Sequence, residues 1–165
     1  MLRHDTVFTE KHNHQTCIDE ALARAKALCR KKQLRFTPIR ELVLRLIWQS
    51  HKPLGAYDLL PALAEAGFNS APPTVYRALE FLQEQGLVHR LASLNAFIGC
   101  SQPDAEHTGY FFICRECHQT LEVKSDPVHS ALNRQANNMG FSIDQETVEV
   151  LGTCPSCKRN PDQHA

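Results

Sequence analysis

The sequence predicts an α+β protein: an N-terminal winged helix-turn-helix followed by a small α/β domain stapled by zinc. Three observations predict it. Helical apolar periodicity recurs four times before residue 87, then gives way to two short strand-like runs. Further strand-like runs surround one helical stretch in the last third of the chain. Two CxxC pairs, Cys114 with Cys117 and Cys154 with Cys157, fall in that last third, where metal ligation is the chemistry such pairs favour.

Residues 1–14 read as a flexible leader. His4, His12 and His14 lie there without apolar periodicity, weak metal binding being the alternative to a solvated helix start. From about Cys17 to Lys32, the residues Ile18, Leu22, Ala25, Leu28 and Cys29 recur at helical spacing, and Cys17 and Cys29 read as buried thiols. The basic cluster Arg30, Lys31, Lys32 and Arg35 follows. A second helix opens with Thr37 as N-cap and Pro38 in the first helical position; Val43, Leu44, Leu46 and Ile47 are its inward stripe and Pro53 closes it.

A third helix is expected from about Ala56 to Ala66, with Tyr57, Leu59, Leu60 and Leu63 inward, Pro61 kinking or shortening it, and Gly67 ending it. A fourth runs from Pro72 to Gln85 and stops at Gly86. Strands are expected at Leu87–Leu91 and Ala96–Gly99 around a turn at Ser93, Leu94 and Asn95. Helices followed by a two-stranded hairpin are the winged form of helix-turn-helix. Beyond it, strands are expected at Gly109–Ile113, Thr120–Val123 and Ser142–Leu151, and a helix from Pro127 to Met139 ended by Gly140. A unit of roughly 65 residues has a marginal core, which a metal staple or a partner subunit would support. The expected organisation is a leader at 1–14, a winged helix at 15–99, a connecting segment at 100–108 and a metal-stapled unit at 109–160.

Composition sets the outer bounds. A hydrophobic content of 42% argues against disorder of the whole chain. No run of 18 apolar residues is present, and Met1 to Glu20 carries no apolar core of a signal peptide, so a soluble cytoplasmic protein is expected. The net charge of zero is unevenly spread: residues 1–90 hold 13 Lys/Arg against 9 Asp/Glu, residues 91–165 hold 5 against 9. The basic part is the one to meet nucleic acid.

In the fourth helix, Val75, Ala78, Leu79 and Leu82 define the buried face, leaving Thr74, Tyr76, Arg77 and Glu80 toward solvent. A reading helix uses its N-terminal turns on DNA. Arg77 suits guanine edges or phosphate, Tyr76 a phosphate or a thymine methyl. The plain alternative is an amphipathic surface helix; the element order and the basic half favour DNA.

Each CxxC offers two thiolates to one ion, and two pairs complete a tetrahedral S₄ cage that suits zinc and leaves no open position. That points to a structural site at Cys114, Cys117, Cys154 and Cys157. Redox-active dithiols are the weaker reading. A second, scattered set is His89, Cys100, His107 and Glu122. Singly these read as ordinary: a strand-end histidine, a small hydrophobe, two solvated groups. Together they lie between the end of the winged helix and the first strands beyond it, and they offer donors zinc accepts.

The strings Arg35-Phe-Thr-Pro-Ile-Arg40, Ala56-Tyr-Asp-Leu-Leu60, Pro72-Pro-Thr-Val-Tyr-Arg-Ala-Leu79 and Gln85-Gly-Leu-Val-His89, with the two CxxC pairs, resemble the ferric-uptake-regulator family, in particular its zinc-uptake branch. The resemblance covers roughly residues 17–157. It implies a homodimer that binds operator DNA and represses zinc-uptake genes when loaded with two zinc ions per subunit. It puts Cys114, Cys117, Cys154 and Cys157 on the structural zinc, His89, Cys100, His107 and Glu122 on the regulatory zinc, and Tyr76 and Arg77 on the DNA-contacting helix. Iron-sensing members carry a histidine-rich stretch where this chain has Pro103 to Gly109 with one histidine, and Cys100 is a soft donor favouring zinc over ferrous iron. A third metal site is in doubt, since the chain ends Asp162-Gln-His-Ala165.

Competing readings are iron or peroxide sensing within the same family and a structural zinc-binding adaptor. An enzyme is not expected; it would need Cys100, His107 and Glu122 around a zinc with water in an open fourth position.

Overall fold

The computed structural model describes residues 14–49, 52–101, 103 and 109–159. The chain divides into two compact units, Met1–Ala105 and Glu106–Ala165. The expectations for His4, His12 and His107 lie outside the described residues.

In the first unit, the spacing of Ile18, Leu22, Ala25, Leu28 and Cys29 forms α1 (His14–Lys31), with all five buried. Cys17, expected as buried, is only half-buried, because it sits at the edge of that stripe. Burial pushes the Cys29 thiol up, ahead of the opposing pull of Arg40 and Lys32, so it is held neutral as a small apolar group. Pro38 starts α2 (Pro38–Trp48) with Thr37 at the N-cap; the Thr37 hydroxyl makes no cap bond. Val43, Leu44 and Ile47 are buried, while Leu46 rotates to a half-buried flank.

The third helix is shorter than expected. Ala56–Leu59 is a 3-10 turn and α3 spans only Leu60–Glu65. The Gly55 N–H donates to the Asp58 carboxylate at 2.7 Å, which closes a tight first turn. Pro61 then falls in the first turn of α3, where its missing N–H costs nothing. The tighter winding turns Tyr57 outward, 66% exposed, against the expectation that it faces inward; Leu60 is half-buried, and Leu59 and Leu63 are buried as expected. Helix α4 (Pro72–Glu84) ends at Gly86, whose φ of +69° is open to glycine at little cost.

Strands β1 (Val88–Leu91) and β2 (Ala96–Gly99) pair antiparallel as the wing, with Val88 opposite Gly99 and Leu91 opposite Ala96. Leu54 joins it, exchanging two backbone hydrogen bonds with Phe97. The core of this unit gathers α1, α2, the 3-10 turn, α3, α4 and the wing around Val43, Leu44, Leu63, Val75 and Leu82. At about 25 cal/mol per Å² of apolar surface, burial of these side chains is what holds the helices together.

The second unit is a three-stranded sheet in the order β4-β3-β5. Strand β3 (Gly109–Cys114) pairs antiparallel with β4 (Thr120–Val123) and parallel with β5 (Thr147–Gly152). Helix α5 (Asp126–Asn138) makes the crossover to β5, and α6 (Pro155–Arg159), not expected from the sequence, closes the described chain. The expected strand at Ser142–Leu151 forms only in its second half. The described pairing begins where Gly109 of β3 stands opposite Thr147; just before it, the Glu146 carboxylate accepts from the Tyr110 hydroxyl and lies against His129. Phe111 and Ile113 are buried, whereas Phe112, Val128, Leu132, Met139, Phe141, Val150 and Leu151 are exposed.

Candidate metal centres and nucleic-acid interface

The parallel pairing of β3 with β5 builds the first metal centre. The register sets Cys114 opposite Gly152, so the two strands end side by side. Each is followed by its CxxC pair. After β3 the chain turns through His118, whose φ of +59° lets its N–H donate to the Cys114 carbonyl at 3.0 Å. After β5 the second pair opens α6.

All four sulfurs lie within 4.8 Å of one another, with Cys114 to Cys157 and Cys117 to Cys154 both at 3.8 Å. A tetrahedron with Zn–S bonds of about 2.3 Å has edges of about 3.8 Å, so the donor set fits a closed S₄ zinc site. Cys114, Cys154 and Cys157 are buried and Cys117 half-buried.

Electrostatics agree with that use. Burial pushes the Cys114 thiol up, but the backbone N–H groups of Cys117, Cys154 and Glu116 together outweigh it and bring it to about 6. The thiol of Cys157 is pushed up by burial first, and then by its three sulfur neighbours. Cys117 is likewise raised, chiefly by burial. One thiolate among thiols is what a crowded cluster permits without a cation, since adjacent negative charges repel. A dication would draw the remaining protons off.

The second set is divided between the units. In the first unit, half-buried His89 lies on β1 and buried Cys100 immediately follows β2. The hairpin brings them together: a ring nitrogen of His89 and the Cys100 sulfur are within 4.8 Å. The Cys100 N–H donates to the Leu87 carbonyl at 3.0 Å, and Arg24 of α1 donates to the Ser101 carbonyl at 2.7 Å. The segment leaving the wing is thereby tied down on both sides. In the second unit, Glu122 is half-buried on β4, opposite Phe111.

On α4, Val75, Ala78, Leu79, Phe81 and Leu82 are buried, while Tyr76, Arg77 and Glu80 are exposed and Thr74 is half-buried. Thr74 and Arg77 also line a shallow cleft of about 190 Å³ with Ala78 and with Thr37, Ile39 and Arg40 from the start of α2. The guanidinium of Arg40 stacks 3.5 Å from the centre of the Phe81 ring and donates to the Arg35 carbonyl. Sequence reasoning missed Arg40 and Thr37 as neighbours of Arg77. No spacing rule joins residues so far apart, and only the packing of α2 on α4 does. Among the described residues no helix is long and apolar enough to cross a membrane.

Helices that end in a hairpin wing, followed by a unit closed by four thiols, define the class of winged-helix metalloregulators. The ferric uptake regulator family model matches residues 31–151, and the chain belongs to that family. It is similar to the zinc uptake regulation protein of Escherichia coli (strain K12), 39% identical over 155 residues that cover 90% of this chain and 91% of the relative. Among solved structures it resembles a zinc uptake regulator complexed with zinc and DNA. That match has a TM-score of 0.82 at 39% identity, covering 86% of this chain and 95% of the other. It also resembles holo XcZur, with a TM-score of 0.77 at 43% identity, covering 86% and 99%.

Proposed function

We propose that this protein is a zinc-responsive transcriptional repressor of zinc-uptake genes, a cytoplasmic regulator rather than an enzyme, which binds operator DNA as a zinc-loaded homodimer. The supporting observation is the exposed Tyr76–Arg77 face of α4, in a chain 39% identical to a zinc uptake regulator complexed with zinc and DNA. The domain organisation follows the same reading: a winged-helix DNA-binding domain over 15–99, a hinge over 100–108 and a dimerisation domain over 109–160. The exposed apolar side chains of the second unit support the homodimer, since a large apolar surface is costly in water unless a partner covers it.

Each subunit holds two zinc ions in this reading. Cys114, Cys117, Cys154 and Cys157 hold the structural one. His89, Cys100, His107 and Glu122 hold the regulatory one, their thiolate and carboxylate balancing its charge. Bound zinc supplies a dication that draws donors from both domains together. His89 and Cys100 hold the wing side, Glu122 holds the side of β4, and the pair of α4 helices in the dimer is thereby set at one spacing. Only one spacing suits half-sites about one helical turn apart. Thr74, Tyr76 and Arg77 then meet base edges and phosphates from the first turns of α4. Filling the site shifts a population toward the reading arrangement. A coupling of about 1–3 kcal/mol tightens DNA binding about 5–150-fold, and DNA tightens the site by the same factor.

The test is Cys100→Ser. Zinc-dependent operator binding in a gel shift should disappear, while the variant stays dimeric and keeps one zinc per subunit. An unchanged zinc response would overturn the regulatory assignment.

A further inference from the structure

Two guanidinium groups line the cleft between the start of α2 and α4, and no carboxylate lines it. Arg40 comes from α2, Arg77 from α4. Among the described residues Arg77 has no hydrogen bond or ion pair. The carboxylate nearest to Arg40 in sequence, Glu41, is already shared by Lys26 at 2.9 Å and Arg45 at 3.8 Å. Two like charges facing one cavity without a counter-charge gain from an anion placed between them. Half-buried Thr74, at the first turn of α4, adds a hydroxyl-bearing side chain to the lining.

Arg40 is not a loose surface cation. Its guanidinium stacks on the Phe81 ring at 3.5 Å and donates to the Arg35 carbonyl, so two contacts fix it. On α4, Thr74, Arg77 and Phe81 follow one another at i, i+3 and i+7, on one face. The ring that carries Arg40 therefore stands one turn beyond Arg77, which brings both cations to the same cleft. An arginine already oriented loses little freedom when it binds.

We propose that this cleft is a binding site for one backbone phosphodiester of duplex DNA, held by Arg40 and Arg77 with the Thr74 hydroxyl. The inference rests on the DNA-binding reading and adds to it a contact from outside the reading helix. Arg40 carries no base information; it sets the height and register at which α4 enters the groove. The ring of Phe81 positions Arg40 and does not itself touch DNA.

The experiment measures operator affinity of the zinc-loaded full chain by fluorescence anisotropy across a salt series. For Arg40→Gln the slope of log affinity against log salt should flatten by about 0.9 per subunit, the value of one released phosphate contact. Binding should weaken by the same factor on operators with altered bases. Arg40→Lys keeps the charge and should keep the slope, at reduced affinity. A scan of single methylphosphonate linkages locates the contact: one position per half-site should weaken the wild type more than Arg40→Gln, which has only the Arg77 contact left to lose there. An unchanged slope in a folded Arg40→Gln protein overturns the site, as does a scan in which every linkage weakens both proteins equally. Wild-type protein that fails to bind DNA at all would instead overturn the underlying function.

Discussion

Trp48 occupies the space in which Gly99 would carry a side chain: a Cβ there would collide with Cε2 and Nε1 of the indole. The end of α2 is thus packed on the last residue of β2, one residue before Cys100. Gly99→Ala should displace the ring and cost about 1–3 kcal/mol, the usual penalty for an added methyl in a packed site. Trp48 is the sole tryptophan, so urea denaturation followed by its fluorescence reads both the altered ring environment and the lost stability. A variant with wild-type emission and midpoint would contradict the packing.

Cys154→Ser should release the metal from the four-sulfur cage and lower zinc content by one per subunit, measured by elemental analysis. Losing the metal also leaves the three remaining sulfurs crowded together without the charge that organises them. The second unit should therefore lose its cooperative unfolding transition in calorimetry.

Acid should weaken the same cage, in a direction the thiols dictate. Cys117 and Cys157 are held protonated above their ordinary value of 9.0 while metal-free, so zinc entry must expel their protons. Affinity therefore falls as pH falls. The decline steepens below about 6, where Cys114 takes up a proton as well. Competition with a chromophoric chelator between pH 5 and 8 measures this; zinc affinity that rises toward acid would refute it.

Arg77→Ala should cost about 1–3 kcal/mol in operator affinity. The side chain is exposed, so folding stability should stay within about 0.5 kcal/mol of wild type. Anisotropy and a thermal melt on the same preparation separate the two effects.

In the second unit, the Glu146 side chain is only 8% exposed and accepts from Tyr110, while His129 lies 2.8 Å from its other oxygen. Glu146→Ala should destabilise by about 1.5–3 kcal/mol, because a buried hydroxyl loses its charged acceptor. His129 is 52% exposed on its side chain, so His129→Ala should cost less than about 1 kcal/mol. Equal costs in urea denaturation would show that the histidine, not the tyrosine, anchors the carboxylate.

The sequence made the four-thiol centre and the buried face of α4 legible, because both follow from local spacing. Thr37-Pro38 and Pro72-Pro73 marked helix starts for the same reason. What escaped depended on contacts between distant residues. Tyr57 points outward because the Asp58 carboxylate tightens the turn before it, which changes the helical period on which its inward placement rested. The strand expected from Ser142 starts only at Thr147, where Gly109 of β3 comes opposite it, and that register rests on a partner far away in sequence. Arg40 stood in the sequence only as the end of the Arg35–Arg40 string; its stacking on Phe81, in the cleft that Arg77 also lines, comes from the packing of α2 on α4.

The order of strands in the second unit also bears on how the chain reaches its final form. Neighbours β3 and β4 can zip up soon after both are made, whereas β5 must find β3 across the whole of α5. Such distant pairing is slow, because the intervening loop has to close first. On a ribosome, the first CxxC pair would emerge well before its counterpart and wait half-liganded. Metal supply during synthesis, not merely in the finished protein, would then govern how quickly this unit matures.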